Sequence, residues 1–187
     1  MAKYGASDPY FAIIKTEPEN GLPTYENGVK LARLISSSDN PTYSKAELYA
    51  DNRLAEEVEE FVSASIEVSL DDVELANKAL IYGATLSETQ ELEYKGSDTA
   101  PYGGYAFYAA KMKSGVKKYV GVFYPKVKAT MGGVTHNTKG ESITFAPDSV
   151  TFSASETEAY TWKIEKEFTT EEEAKTWIKS KLGISGV

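Results

Sequence analysis

The chain has no cysteine and a single histidine. The first absence removes disulfides and thiolate chemistry, and it fits assembly in a reducing compartment. With only His136, no zinc site of the usual His/Cys type can be built. His136 also sits in the glycine-rich stretch 129–140, ATMGGVTHNTKG, and no GxSxG turn accompanies it. A Ser–His–Asp arrangement needs an ordered base and an oriented nucleophile, so a solvated surface histidine is the preferred reading. No stretch approaches the roughly 20 continuous apolar residues that span a bilayer. The opening residues, MAKYGASDPY, carry no apolar signal core. Neither Gly103-Gly104 nor Gly132-Gly133 is followed by GK[ST], so neither reads as a phosphate loop. The run DNRLAEEVEE lacks the glycine and the alternate oxygen spacing of a calcium loop. Its carboxylates can be imagined as a glycosidase pair, but a solvated acidic surface is the plainer reading. Excess positive charge is missing too. A net charge of −8 argues against holding nucleic acid by phosphate neutralisation. It leaves open nucleic acid sliding past a repelling surface.

What is present suits a folded, β-rich chain. A length of 187 residues is enough for one domain with its own core. Thirteen tyrosines favour strands over disorder. Residues 1–9 are small and polar and read as a flexible arm. Tyr10 to Thr16 is a first strand. Glu17 to Gly28, with its prolines and Asn-Gly pairs, reads as a loop, SSSDNPT at 36–42 as a break, Ala46 to Tyr49 as a short strand and Asp51 to Glu56 as a polar connection. From Val62 to Leu70 apolar and polar residues alternate strictly, a strand with one buried face. Asp71 with Glu74 offers a capping box for a helix near 72–81, with Val73, Ala76 and Leu80 among its apolar stripe and Gly83 as its stop. The segments 102–112 and 117–128 flank Lys113 to Val116, the clearest hairpin in the chain. Tyr119 to Tyr124 is apolar on both faces, so a core should cover one face and a helix or a neighbouring subunit the other. Strands are also expected at 142–145, 149–152 and 160–168. A second helix near 170–182 carries a Thr170–Glu173 capping box and an Ala174, Trp177, Ile178, Leu182 stripe.

Charge is segregated. Between 51 and 74 stand nine acids and only Arg53 as a base, a local balance of −8 that equals that of the whole chain. Lys111, Lys113, Lys117, Lys118, Lys126 and Lys128 occupy 111–128 with no acid among them. Complementary blocks of this kind suit a head-to-tail contact between copies, which closes into rings or runs on as filaments. Alternatively they face each other, or water, within one subunit. The aromatic residues Tyr102, Tyr105, Phe107, Tyr108, Tyr119, Phe123 and Tyr124 can stack sugars or bases. At strand spacing they are more often core and interface.

Several strings resemble one family. These are VKLARLISSSDNPTYSKAELYADNRLAEEVEEF at Val29 to Phe61, SASIEVSLDDVELANKALIYGA after it, APYGGYAFY at Ala100 to Tyr108, YVGVFYPKVKAT at Tyr119 to Thr130 and THNTKGESITF at Thr135 to Phe145. In order and in sum, over nearly the whole chain, they resemble the major tail tube proteins of long-tailed phages of Gram-positive bacteria. ELYADN at 47–52 is the most distinctive. The resemblance implies a mainly β, α+β fold: an antiparallel β-sandwich or barrel with flanking helices, as one domain over 1–187. The immunoglobulin-like C-terminal domain of some relatives is not expected.

It implies a virion structural protein and no enzyme. Hexameric rings would stack into a tail tube through which the genome leaves. No cofactor or metal is implied. Partners would be further copies, the tail terminator, tape measure and distal tail proteins, and DNA passing without specific binding, with no membrane. Assembly would take place in the host cytoplasm. The segment 36–60 is expected as an inter-subunit loop region that, with residues 1–9, contacts the next ring. Candidate interface residues are Tyr43, Leu48, Tyr49, Asp51, Asn52, Arg53, Lys117 and Lys118, with Glu56, Glu57, Glu59 and Glu60 as lumen or contact charge. A β-sandwich module that binds carbohydrate or a host surface is the alternative.

Overall fold

The computed structural model describes residues 3–50, 53–113, 115–132 and 146–184. In chain order they form β1 (Lys3–Thr16), β2 (Thr24–Lys30), β3 (Leu34–Ala50), β4 (Arg53–Leu70), α1 (Leu75–Tyr82), β5 (Thr85–Leu86), β6 (Leu92–Glu93), β7 (Tyr102–Lys113), β8 (Val116–Thr130), β9 (Asp148–Ala154), β10 (Ile164–Phe168) and α2 (Glu171–Lys181). One sheet runs β2-β1-β7-β8-β9-β4-β3, with β10 also paired to β8, and β5 with β6 makes a small separate pair. The pairings are antiparallel. The fold is therefore mainly antiparallel β with two short helices.

The expected central hairpin is present, paired from Tyr102↔Lys128 to Lys113↔Val116 with one register shift between Gly103 and Tyr105. Its alternation feeds two cores. Tyr105, Phe107, Val120, Val122 and Tyr124 point into the larger one with Phe11, Ile66, Val68 and Phe152. Phe152 stacks on Phe11 and on Tyr105 at 5.7 and 5.1 Å, so the sheet curls over its own face. Ala106, Tyr108 and Phe123 point the other way, against Ala174, Ile178 and Leu182 of α2. The second apolar face of β8 is thus covered by a helix of the same chain. The two glycines of APYGGYAFY are packing devices. A Cβ at Gly103 would lie 2.4 Å from the Phe11 ring, and one at Gly104 2.7 Å from both Leu182 and Tyr25.

α2 is built as its sequence indicates. The Thr170 hydroxyl accepts from the Glu173 N–H at 3.3 Å, and the Glu173 carboxylate accepts from the Thr170 N–H at 3.2 Å. At the other end Gly183 adopts a left-handed φ of 63°. The Ile184 N–H then reaches the Lys179 carbonyl, and the Gly183 N–H that of Ser180, a paired C-terminal closure.

Elsewhere the chain departs from its sequence signals. Residues 3–9, expected as an arm, continue β1 and pair with β7. Part of the loop expected at 17–28 is strand β2. Helix α1 lacks the expected capping box. Glu74 is its N-cap and makes no side-chain cap bond. Asp71 instead accepts from the Arg33 N–H at 2.9 Å and from Arg33 Nε at 2.5 Å. These two Arg33 bonds hold its carboxyl below the usual carboxylate range. The helix entry is pinned from β9, where Asp148 accepts from the Val73 N–H and from Lys78 Nζ, both at 2.9 Å. Burial alone would push Asp148 up; those two donors outweigh it and leave its pKa lowered. The buried face of the entry and helix is Val73, Asn77 and Ile81, while Leu75 is exposed. Asn77 donates to the carbonyls of Lys30 and Leu31 at 3.0 Å each, which is why a polar residue sits there. Of the strand expected over 160–168, only Ile164–Phe168 forms. Tyr160 turns the chain with a φ of 55°. His136 and the strand expected at 142–145 lie outside the described residues.

Candidate assembly interface

The segment 36–60, expected as a loop region, is regular β structure. β3 and β4 stay paired from Leu34↔Leu70 to Ala50↔Arg53. SSSDNPT does not break β3 because β3 is the outer strand of the sheet, where a proline without an N–H is tolerated. Only the Ala64–Leu70 part of β4 also pairs with β9. Beyond Tyr43↔Phe61 the two strands therefore continue as a ribbon. From Tyr43 to Ala50, at ~3.3 Å per residue, it extends about 25 Å.

The pairing slips between Thr42 and Tyr43, leaving Val62 as an extra, exposed residue in β4. That bulge marks the exit from the core. On the inner side, Tyr43 lies opposite Phe61, Lys45 opposite Glu59, and Glu47 opposite Glu57. Lys45 Nζ lies 2.7 Å from Glu57, 3.5 Å from Glu47 and 4.0 Å from Glu59. On the outer side, Ser44 faces Glu60 and Ala46 faces Val58. Apolar inward residues thus give way to carboxylates and one lysine where, among the described residues, β4 no longer pairs with β9.

The base of the ribbon is clamped. Phe61 stacks on Trp162 at 4.7 Å, and Tyr43 meets Phe61 edge-on at 5.9 Å. Lys163 Nζ bonds Asp39 of β3 at 2.8 Å and Glu165 of β10 at 3.0 Å. Burial pulls the Lys163 pKa down, but these two carboxylates outweigh it and raise it. Neither Trp162 nor Lys163 stood out in the sequence. Both sat inside an alternating run that read as an ordinary strand.

Lys111, Lys113, Lys117 and Lys118 of the basic block lie at the turn of the β7–β8 hairpin, and Lys126 and Lys128 at its far end. Register places Lys3, Lys111 and Lys118 side by side on β1, β7 and β8. Lys111 is buried and, with Lys118, meets Glu167 of β10. Lys117 is exposed, its Nζ 5.1 Å above the Tyr119 ring. Met112 and Val116 beside it are exposed apolar residues. Lys126 bonds Glu17 at 2.8 Å, and Lys126 and Lys128 both lie over the Tyr102 ring. Among the described residues, no ion pair joins this block to the acids of 51–74.

The candidate residues thus fall in two places. Tyr43, Glu56, Glu57, Glu59 and Glu60 are exposed on the ribbon. Leu48, Tyr49 and Arg53 lie near its tip by register, and Asp51 and Asn52 lie outside the described residues. Lys117 and Lys118 are at the hairpin turn. The sheet register relates the two places. Moving along β9 from Asp148 to Ala154 runs from Leu70 to Ala64 on β4, toward the ribbon. The same direction runs from Thr130 to Val127 on β8, toward the Val116 turn. Ribbon and lysine turn leave the same end of the sheet.

The aromatic strip of the hairpin is mostly interior: Tyr105, Phe107, Tyr108, Phe123 and Tyr124 are all buried. Burial raises the phenol pKa of Tyr105, Tyr108 and Tyr124. They offer no open platform for stacking a sugar. A scan against protein-family models finds no match, and a search of curated proteins finds no significant relative. No helix among the described residues is long and apolar enough to cross a membrane.

Proposed function

We propose that this chain is a structural virion protein, a tail tube subunit whose hexameric rings stack into the conduit for a phage genome. The observation that carries the reading is the ribbon beyond Tyr43↔Phe61, which among the described residues leaves the sheet with its outer edges unpaired. An isolated two-stranded ribbon is marginal in water, so it needs a partner surface. Open strand edges are also a template for joining sheets between copies. The strings quoted above supply the family, and the role is structural rather than catalytic. The acidic surplus suits a lumen that repels DNA and lets it pass. The virion tail is the expected location, with tail terminator, tape measure and distal tail proteins as further partners. Negative-stain microscopy and sedimentation at high protein concentration test the reading. Rings or tubes are expected. A persistent monomer with affinity for glycans would overturn it in favour of a carbohydrate-binding module.

A further inference from the structure

We infer that the β3–β4 ribbon of one copy docks on the β7–β8 turn of the neighbouring copy, its glutamates meeting Lys117 and Lys118, and that this contact closes a ring rather than joining rings end to end. The inference rests on the assembly proposed above and names the surfaces that make it. Three observations converge. Among the described residues, β3 and β4 pair only with each other beyond Phe61. Glu56, Glu57, Glu59 and Glu60 are exposed on it, with Lys45 already shared among Glu47, Glu57 and Glu59. The lysine turn presents exposed Lys117, Met112 and Val116, a charged and apolar surface that no described acid of the ribbon reaches within the subunit.

Placement then selects the geometry. Ribbon and lysine turn leave the same end of the sheet. Two copies stacked end to end would bring opposite ends together and keep these surfaces apart. Copies related by rotation about an axis along the strands keep both surfaces at one level, so each ribbon can reach sideways to the next turn. Such a contact is heterologous and closes when the rotation does.

The test uses charge reversal in the full chain. The double variants Glu56→Lys/Glu60→Lys, on the ribbon face away from Lys45, and Lys117→Glu/Lys118→Glu are made separately and combined in one quadruple variant. Sedimentation measures the protein concentration at which half the chains are in rings, at low and high salt. Each double variant is expected to raise that concentration by about tenfold or more, since like charges then oppose at every junction. The quadruple variant is expected to restore assembly, which also shows that the substituted chains fold. A 1:1 mixture of the two double variants should assemble where neither does alone. Wild-type rings with unchanged assembly of both double variants would overturn the contact and leave the tube reading standing. So would a quadruple variant that fails to recover. A wild type that stays monomeric at every concentration would overturn both.

Discussion

If the ribbon is an interface element rather than part of the folded core, removing it should cost assembly and almost nothing else. The perturbation replaces residues 46–58 by Asn-Gly, joining the paired residues Lys45 and Glu59 through a two-residue turn. The Phe61–Trp162 stack and the Lys163–Asp39 bond at the base are kept. What is lost can be summed from the structure. Among the described residues of the segment, Val58 is half-exposed and the excised glutamates are exposed, so these take little apolar burial with them. The Lys45 pairs with Glu47 and Glu57 are surface pairs, each worth ~0.2–1 kcal/mol. Against this, a shorter connection costs less closure entropy. The net change should stay within about 1 kcal/mol. For a chain of this size, that is a Tm shift of about 2–4 °C. Thermal melts by circular dichroism and sedimentation of the same samples check both halves. A truncated chain that melts more than about 10 °C lower would place the ribbon in the folding unit. One that still forms wild-type rings would refute its role as an interface.

Other parts of the molecule should respond in the opposite way. Ile178→Ala empties a fully buried site between α2 and β8, and urea unfolding should show a loss of about 2–5 kcal/mol. Gly121→Ala would place a Cβ 2.7 Å from the Trp177 ring, and should cost ~1–3 kcal/mol while shifting tryptophan fluorescence. The phenols of Tyr25, Tyr82, Tyr105, Tyr108 and Tyr124 are raised, first by burial, with Tyr82 reaching about 12. Above the ordinary pKa of ~10 the unfolded chain releases protons that the folded chain keeps, so stability should be full below pH ~10 and fall as pH rises beyond it. Tyrosinate absorbance followed together with near-ultraviolet dichroism checks this. Complete titration near pH 10 in a chain that stays folded would contradict the assignment.

The legible parts of the fold were those where local chemistry and tertiary packing agree. The strict alternation expected over Val62 to Leu70 tracked the buried face of β4 from Ala64 to Leu70 and missed at Val62, which the bulge turns out to solvent, while the capping box and stripe of α2 were both realised. The β7–β8 hairpin, with both faces covered, followed from its continuous apolar run. Errors arose where a long-range partner overrode a local signal. Asp71 looks like a helix cap by spacing, but Arg33 of a distant segment takes its carboxylate and Asp148 performs the pinning. Asn77 breaks the apolar stripe of α1, yet it is the residue buried there, because two carbonyls outside the helix need its amide. Residues 3–9 look like an arm because an edge of β7 that pairs them cannot be seen from their composition. The ribbon was the hardest case. Its charged inward positions carry no apolar alternation, so a signal that detects burial reports a loop where a strand simply has nothing to bury against.

That same charge bears on how such a ribbon survives before it is docked. Two open edges and a half-exposed Val58 invite pairing with any other strand. Glu56, Glu57, Glu59 and Glu60 counter this, since approach of a second ribbon in register sets carboxylate against carboxylate. The repulsion is selective. It opposes ribbon on ribbon, the wrong symmetric pairing, and becomes attraction at a lysine-bearing turn, the heterologous one. A neutral ribbon would keep the open edges and lose the discrimination between them. A ribbon with balanced charge on both strands would favour its own copies. On the docking proposed above, the acidic run, with Lys45 already engaged by three neighbouring glutamates, would act twice: as a guard on free chains and as the feature that selects which surface the ribbon accepts.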